Sequence, residues 1–324
     1  MLNAWLRFWF EPTPPTRLGL SRLLFFSGLF LFSAREDFSA WGDVSRAFWM
    51  PLPLFVTLHL TPLSSGALQA VQDVWLAALL LSAAGVYSRV SMTVAAVLGF
   101  YLLGLPHNFG HTFHFDAALV ITSVILACSR AGDAWSVDAA LARGGQAAGA
   151  TSGEYTWPIR MIWVATALVF FAAGVAKLRY GGIAWVTSDN MRILLLRASY
   201  HVSDADPWTR AGLWIAAHAW ISRALAATAL AIELGFALSL VSRWARAIFV
   251  PAAFGLLIGI RALMGPTFGG FLIVYVFWVP WDRLLARAAA WLARPATLPV
   301  VAARYDVAAE DAERQARVGA ATHL

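Results

Sequence analysis

The chain has 324 residues, 60% of them hydrophobic and 13% charged, about half the charged share of an ordinary soluble domain. That excludes a soluble globular protein and points to an integral membrane protein. The net charge of +6 does not point to nucleic acid, because the arginines fall in short loops and the C-terminal tail, where membrane topology accounts for them. The single cysteine, Cys128, leaves no intrachain disulfide and no cysteine-built metal site.

Met1 to Pro15 is aromatic and carries Glu11 and three prolines. This is not the pattern of a cleavable signal peptide, so the first span is expected to serve as its own signal. With roughly 20 apolar residues needed to cross a bilayer, the expected fold is an all-α polytopic transmembrane bundle of about eight spans. They run from about Leu18 to Ser33, Leu68 to Tyr87, Val90 to Leu105, Phe115 to Ser129, Ile159 to Lys177, Arg223 to Val241, Ala245 to Leu263 and Phe268 to Trp281. Between the first two, the apolar piece Pro51 to Leu60 is too short to cross and predicts an interfacial helix. The small residues from Gly144 to Gly153 predict a flexible linker. Residues 1–298 are read as one transmembrane domain and 299–324 as a short soluble tail, with no soluble domain between.

Counting arginines with eight spans puts the greater part of the 24 basic residues on the side of both termini, which the positive-inside rule makes cytoplasmic. The loop between the third and fourth spans, holding His107, His111 and His114, then meets the end of the fifth span on the extracytoplasmic side. There the fifth span presents Lys177, the chain's single lysine, before the paired Gly181 and Gly182 that should end its helix. A lysine at a span end is most simply a snorkelling anchor. The three histidines at i, i+4 and i+7 would share one helical face and could ligate a metal, although Pro106, Asn108 and Gly110 favour a loop; no metal is expected. Two acids inside spans, Asp116 and Glu233, need a partner or a wet cavity, and Arg22 or an arginine near the cytoplasmic end is the expected partner of Glu233.

The segment His111 to Asp138, ending Trp135-Ser136-Val137-Asp138, resembles the transmembrane region of the vitamin K-dependent γ-carboxylase family and its bacterial relatives, the horizontally transferred transmembrane domain proteins. So does Phe170 to Trp185, an aromatic helix that ends with Gly174, Lys177 and Leu178 and is followed by a tryptophan. Weaker similarity runs from Trp5 to about Trp281. The resemblance implies a multi-pass protein of the bacterial inner membrane that uses reduced vitamin K or a related quinol in base-catalysed epoxidation and carboxylation chemistry. Lys177 would be the initiating base, His114 the assisting group with His111 the weaker match, and Asp116, Trp185 and Arg261 the cofactor-binding residues. Desolvation in an apolar bundle disfavours a charged amine and would supply a neutral base. The family's histidine in the seventh span is replaced here, since Phe254 is followed by Gly255. The family's extramembrane substrate-binding domain has no counterpart, so a protein partner would have to supply one. A competing reading is a non-catalytic membrane subunit or carrier that binds a lipid or partner protein, with the arginines from Arg192 to Arg210 as its docking surface; its plainer form is a solvated loop with an interfacial helix at Met191 to Leu196.

Overall fold

Apolar residues fall on every side of the long helices of this chain, and that decides how they are used. The computed structural model describes residues 2–110, 114–142, 151–200, 207–265 and 268–292, with the backbone alone at 114, 115, 207 and 209. Fifteen α-helices are described: α1 (Leu2–Phe10), α2 (Thr16–Ser33), α3 (Pro53–Thr57), α4 (Ser65–Ala84), α5 (Ser88–Gly104), α6 (His114–Ala127), α7 (Val137–Leu141), α8 (Trp157–Gly181), α9 (Ala184–Thr187), α10 (Asn190–Ser199), α11 (Pro207–Ala217), α12 (Ala219–Gly235), α13 (Arg243–Met264), α14 (Gly269–Ile273) and α15 (Trp281–Leu292). Short 3₁₀ turns extend several of them, and among the described residues the only β pairing is the isolated bridge between Thr13 and Ser152.

Five helical stretches are long and apolar enough to cross a membrane: Ser65–Ala84, Ser88–Phe109, Gly153–Gly181, Ala219–Leu240 and Arg243–Met264. A sixth is obtained if Gly269–Trp278 and Trp281–Leu292 count as one span. The expected count of eight is not reached on this measure, which gives five to six, because α2 carries Arg17 and Arg22 in its first two turns and α6 has only 14 residues. The outward-facing Leu31, Val74, Leu80, Val97, Leu168 and Ile248 are all well exposed. Helices apolar on both their packed and exposed faces are compatible with a multi-pass membrane protein.

The chain divides into two units, Met1–Trp281 and Asp282–Leu324. In the first, α2 packs on α4, α4 on α5, α5 on α6, α6 on α8 and α8 on α12. The broken segment Gly269–Trp278 fills the centre against α2, α6 and α8, burying Phe271, Val274, Phe277 and Trp278. A helix interrupted inside an apolar bundle frees backbone carbonyls that must find donors. Here Phe277 O accepts from Arg17 Nη2 at 3.1 Å and from Trp163 Nε1 at 2.9 Å, and Val276 O accepts from Trp281 Nε1 at 2.8 Å. A smaller core joins Met191 and Leu195 of α10 to Ala216 and Ala226; Arg192 and Arg197 of α10 point outward, as expected of an interfacial helix. In the second unit α15 is described; residues 293–324, which include the expected soluble tail, and the linker residues 143–150 lie outside the described residues.

Candidate functional site

Lys177 stands one turn before the end of α8. The helix stops at Gly182, whose φ of +55° suits a residue without a Cβ. Trp185 follows at once, and the Lys177 ammonium lies 5.4 Å from its ring centroid, a cation–π distance. On the neighbouring α12, Glu233 accepts hydrogen bonds from Lys177 Nζ at both carboxylate oxygens, 2.6 and 2.7 Å. The two helices meet closely because α8 offers Gly174 there: an added Cβ would lie 2.8 Å from Leu234 and 3.2 Å from the Glu233 Cβ. The partner of Glu233 is thus Lys177. The expected Arg22 is held instead by the carbonyl of Trp135, to which its Nη2 donates at 2.5 Å.

This ion pair sits in the wall of a cavity of about 330 Å³, near the lower end of small-molecule sites. Leu195, Leu225, Ile232, Leu256, Ile260 and Met264 make most of the lining apolar, and among the described residues Lys177 and Glu233 are its only charged members. The side of the cavity formed by α13 is open because Gly255 and Gly259 face it; a Cβ at either would meet no atom within 4 Å. The indole N–H of Trp185, in the same wall, is shielded from solvent and bonds no described atom. A hydrophobic molecule with a small polar head matches this arrangement: apolar volume, one hydrogen-bonded ion pair and one hydrogen-bond donor.

The other expected site residues are placed differently. Asp116, in the first turn of α6, pairs with His107 Nε2 at 3.0 Å, and both line a separate apolar cavity of about 430 Å³ with Leu54, Phe55, Phe100 and Val120. No residue is shared between that lining and the cavity of Lys177. Arg261 turns to the C-terminal end of α13, where its Nη1 donates to Gly265 O at 2.8 Å. His111, and the side chain of His114 at the start of α6, lie outside the described residues. Of the expected set, Lys177 and Trp185 are brought together, and Glu233 completes them. Its pairing with Lys177 spans 56 residues, a separation with no sequence period; the signal was that the chain holds one lysine and few acids inside apolar helices.

The Trp135-Ser136-Val137-Asp138 segment builds a knot of another kind. Ser136 caps α7 by accepting from Ala139 N–H at 2.9 Å. Asp138 accepts from the Ser88 hydroxyl at 2.6 Å and from the N–H groups of Ser88 and Tyr87 at 2.7 and 2.9 Å. Burial acts to raise the carboxyl of Asp138, but the Ser88 and Tyr87 hydrogen bonds and the charge of Arg22 outweigh it and hold it below the usual aspartate range. These residues tie the α4–α5 turn to α7. No family model matches the chain, nor does any curated protein or solved structure.

Proposed function

We propose that this chain is a multi-pass membrane protein that performs proton-transfer chemistry on a quinol-like lipid held in the Lys177–Glu233 cavity, related to the vitamin K-dependent γ-carboxylases. The observation that carries the reading is a half-buried lysine bonded to both oxygens of a buried glutamate at the wall of an otherwise apolar cavity. Counting α2, α6 and Gly269–Trp278 as crossings, the same reading has eight spans, both termini cytoplasmic and the site toward the opposite face.

The residues fit such a group. The cavity offers apolar volume for a ring, and the solvent-shielded indole N–H of Trp185 lacks the acceptor that a ligand oxygen would provide. A bound quinol supplies two-electron redox chemistry and, with oxygen, a strong base. An ammonium is no base, so while Lys177 is charged the group that accepts a proton is Glu233, with Lys177 stabilising the oxygen left behind. When the shared proton rests on Glu233, Lys177 becomes the acceptor through its free amine. Either way one proton is held between Nζ and the carboxylate, beside an apolar lining in which the ring of a quinol can sit. Gly255 leaves open the volume where the family pattern places a histidine.

The test is quinol-dependent oxygen uptake by the purified protein in liposomes. Lys177→Ala is expected to lower the rate by about a hundredfold or more, the contribution of a positioned base; uptake at the wild-type rate would remove Lys177 from the chemistry. A second reading, a non-catalytic carrier or subunit, is favoured by the engagement of both Glu233 oxygens, which leaves the pair self-satisfied. It predicts a lipid that co-purifies in the cavity and no uptake by either protein.

A further inference from the structure

Away from this cavity, three arginines from three helices converge on one tryptophan. Arg246 of α13 lies with its guanidinium carbon 4.3 Å from the ring centroid of Trp163, Arg160 of α8 at 4.5 Å and Arg17 of α2 at 5.2 Å. Trp163 itself is buried, stacked on Trp278 at 4.7 Å and bonded to the Phe277 carbonyl, so it is a fixed platform. The guanidinium carbon of Arg160 also lies 5.1 Å from the ring centroid of Phe8. Arg17, Arg160 and Arg246 are each half-buried.

Guanidiniums repel, and cation–π contact with one ring offsets only part of that. The carboxylate that answers Arg160 is Glu11, at 3.6 Å and largely in solvent. Arg246 donates from Nε to the Ser239 carbonyl at 3.0 Å and has no carboxylate within ion-pair distance among the described residues. Each arginine also stands within the first four residues of its helix, so three helix N-termini add their positive ends to the same place. The exposed Trp244 beside Arg246, and Trp5 and Phe10 of α1, mark this end as an interface between water and apolar surroundings.

We infer that this end of the bundle binds a phosphodiester anion, the headgroup of an acidic phospholipid. A planar guanidinium can bond two phosphate oxygens at once, and two or three of them on a rigid platform make a site whose positive charge a phosphodiester headgroup partly offsets. The zwitterionic headgroup carries its own cation and would bring that charge against the arginines.

The experiment uses the full chain in neutral detergent, with phosphatidylglycerol, phosphatidylcholine and inorganic phosphate as probes and native mass spectrometry as the readout. One phosphatidylglycerol is expected to remain bound at least about tenfold more tightly than phosphatidylcholine. Arg160→Gln and Arg246→Gln are each expected to lower that retention about tenfold, the size of one charge-assisted hydrogen bond. Arg223→Gln, an exposed arginine 4.0 Å from Asp189, is expected to change nothing. Equal retention of the two lipids by the wild-type protein overturns the proposal without recourse to any variant, and so does undiminished preference in a folded Arg160→Gln/Arg246→Gln protein. Displacement of the lipid by millimolar phosphate overturns the lipid source and assigns the site to a soluble anion.

Discussion

Two cations of this protein, Arg22 buried and Lys177 half-buried, are held in opposite ways. Arg22 has no exposed surface, donates to the Trp135 carbonyl and lies against Gly85 and Ser136 in filled packing. Lys177 is bonded on one side to Glu233 and on the other borders open apolar volume. A charge walled in by protein has nothing to act on except its neighbours, so Arg22 fixes the junction of α2, the α4–α5 turn and α7. A charge at the edge of a void can meet a ligand. Burial alone therefore does not make a charge a candidate for function; a place beside unfilled space does.

The sharpest way to break that distinction is to unpair each cation. Glu233→Ala leaves the half-buried Lys177 without its carboxylate and should destabilise the protein by up to about 3 kcal/mol, whereas a Lys177→Met/Glu233→Leu pair should recover most of that loss. Thermal unfolding in detergent checks both, and a double variant as unstable as the single would show that packing, not the charge, holds α8 to α12. Arg22→Met removes one donor and leaves the Trp135 carbonyl unanswered, an expected loss of about 1–3 kcal/mol with quinol-dependent uptake by the folded fraction unchanged.

Acid should act on the Arg22 side through Asp138. The carboxyl of Asp138 is held below its ordinary value, so its contribution is present above the unfolded aspartate value near about 3.9 and is lost as pH falls through the folded value. The thermal midpoint is expected to fall below about pH 4, and Asp138→Asn should flatten that part of the profile. The smallest effect belongs to the cavity wall. Gly255→Ala meets no atom within 4 Å and replaces a helical glycine, so it should stabilise α13 by up to about 1 kcal/mol. Gly255→Leu should keep the fold and reduce quinol-dependent uptake by filling the space; unchanged uptake would place the ligand elsewhere.

Much of the architecture was legible because apolar runs and helix ends are local. The run before Lys177 and the two glycines after it placed the end of α8 to within a few residues, and the short apolar piece near Pro53 was readable as too short to cross. The span count was less legible: a helix such as Gly269–Trp278 reads as a crossing by composition, yet it packs at the centre of the bundle with Phe277 and Trp278 buried, and one-dimensional hydropathy does not separate lipid-facing from protein-facing surface.

By itself the sequence determined the helical class, the apolar surroundings of Lys177 and the presence of acids that had to be paired, because composition and periodicity fix what a segment can bury. Only the tertiary structure decided that Glu233 and not Asp116 meets Lys177, that Gly255 faces the same cavity, and that Arg17, Arg160 and Arg246 share one tryptophan. Those facts depend on which helices pack side by side. Helix packing is set by close approach at positions such as Gly174 and by the filling of the bundle centre, and neither leaves a period in the chain.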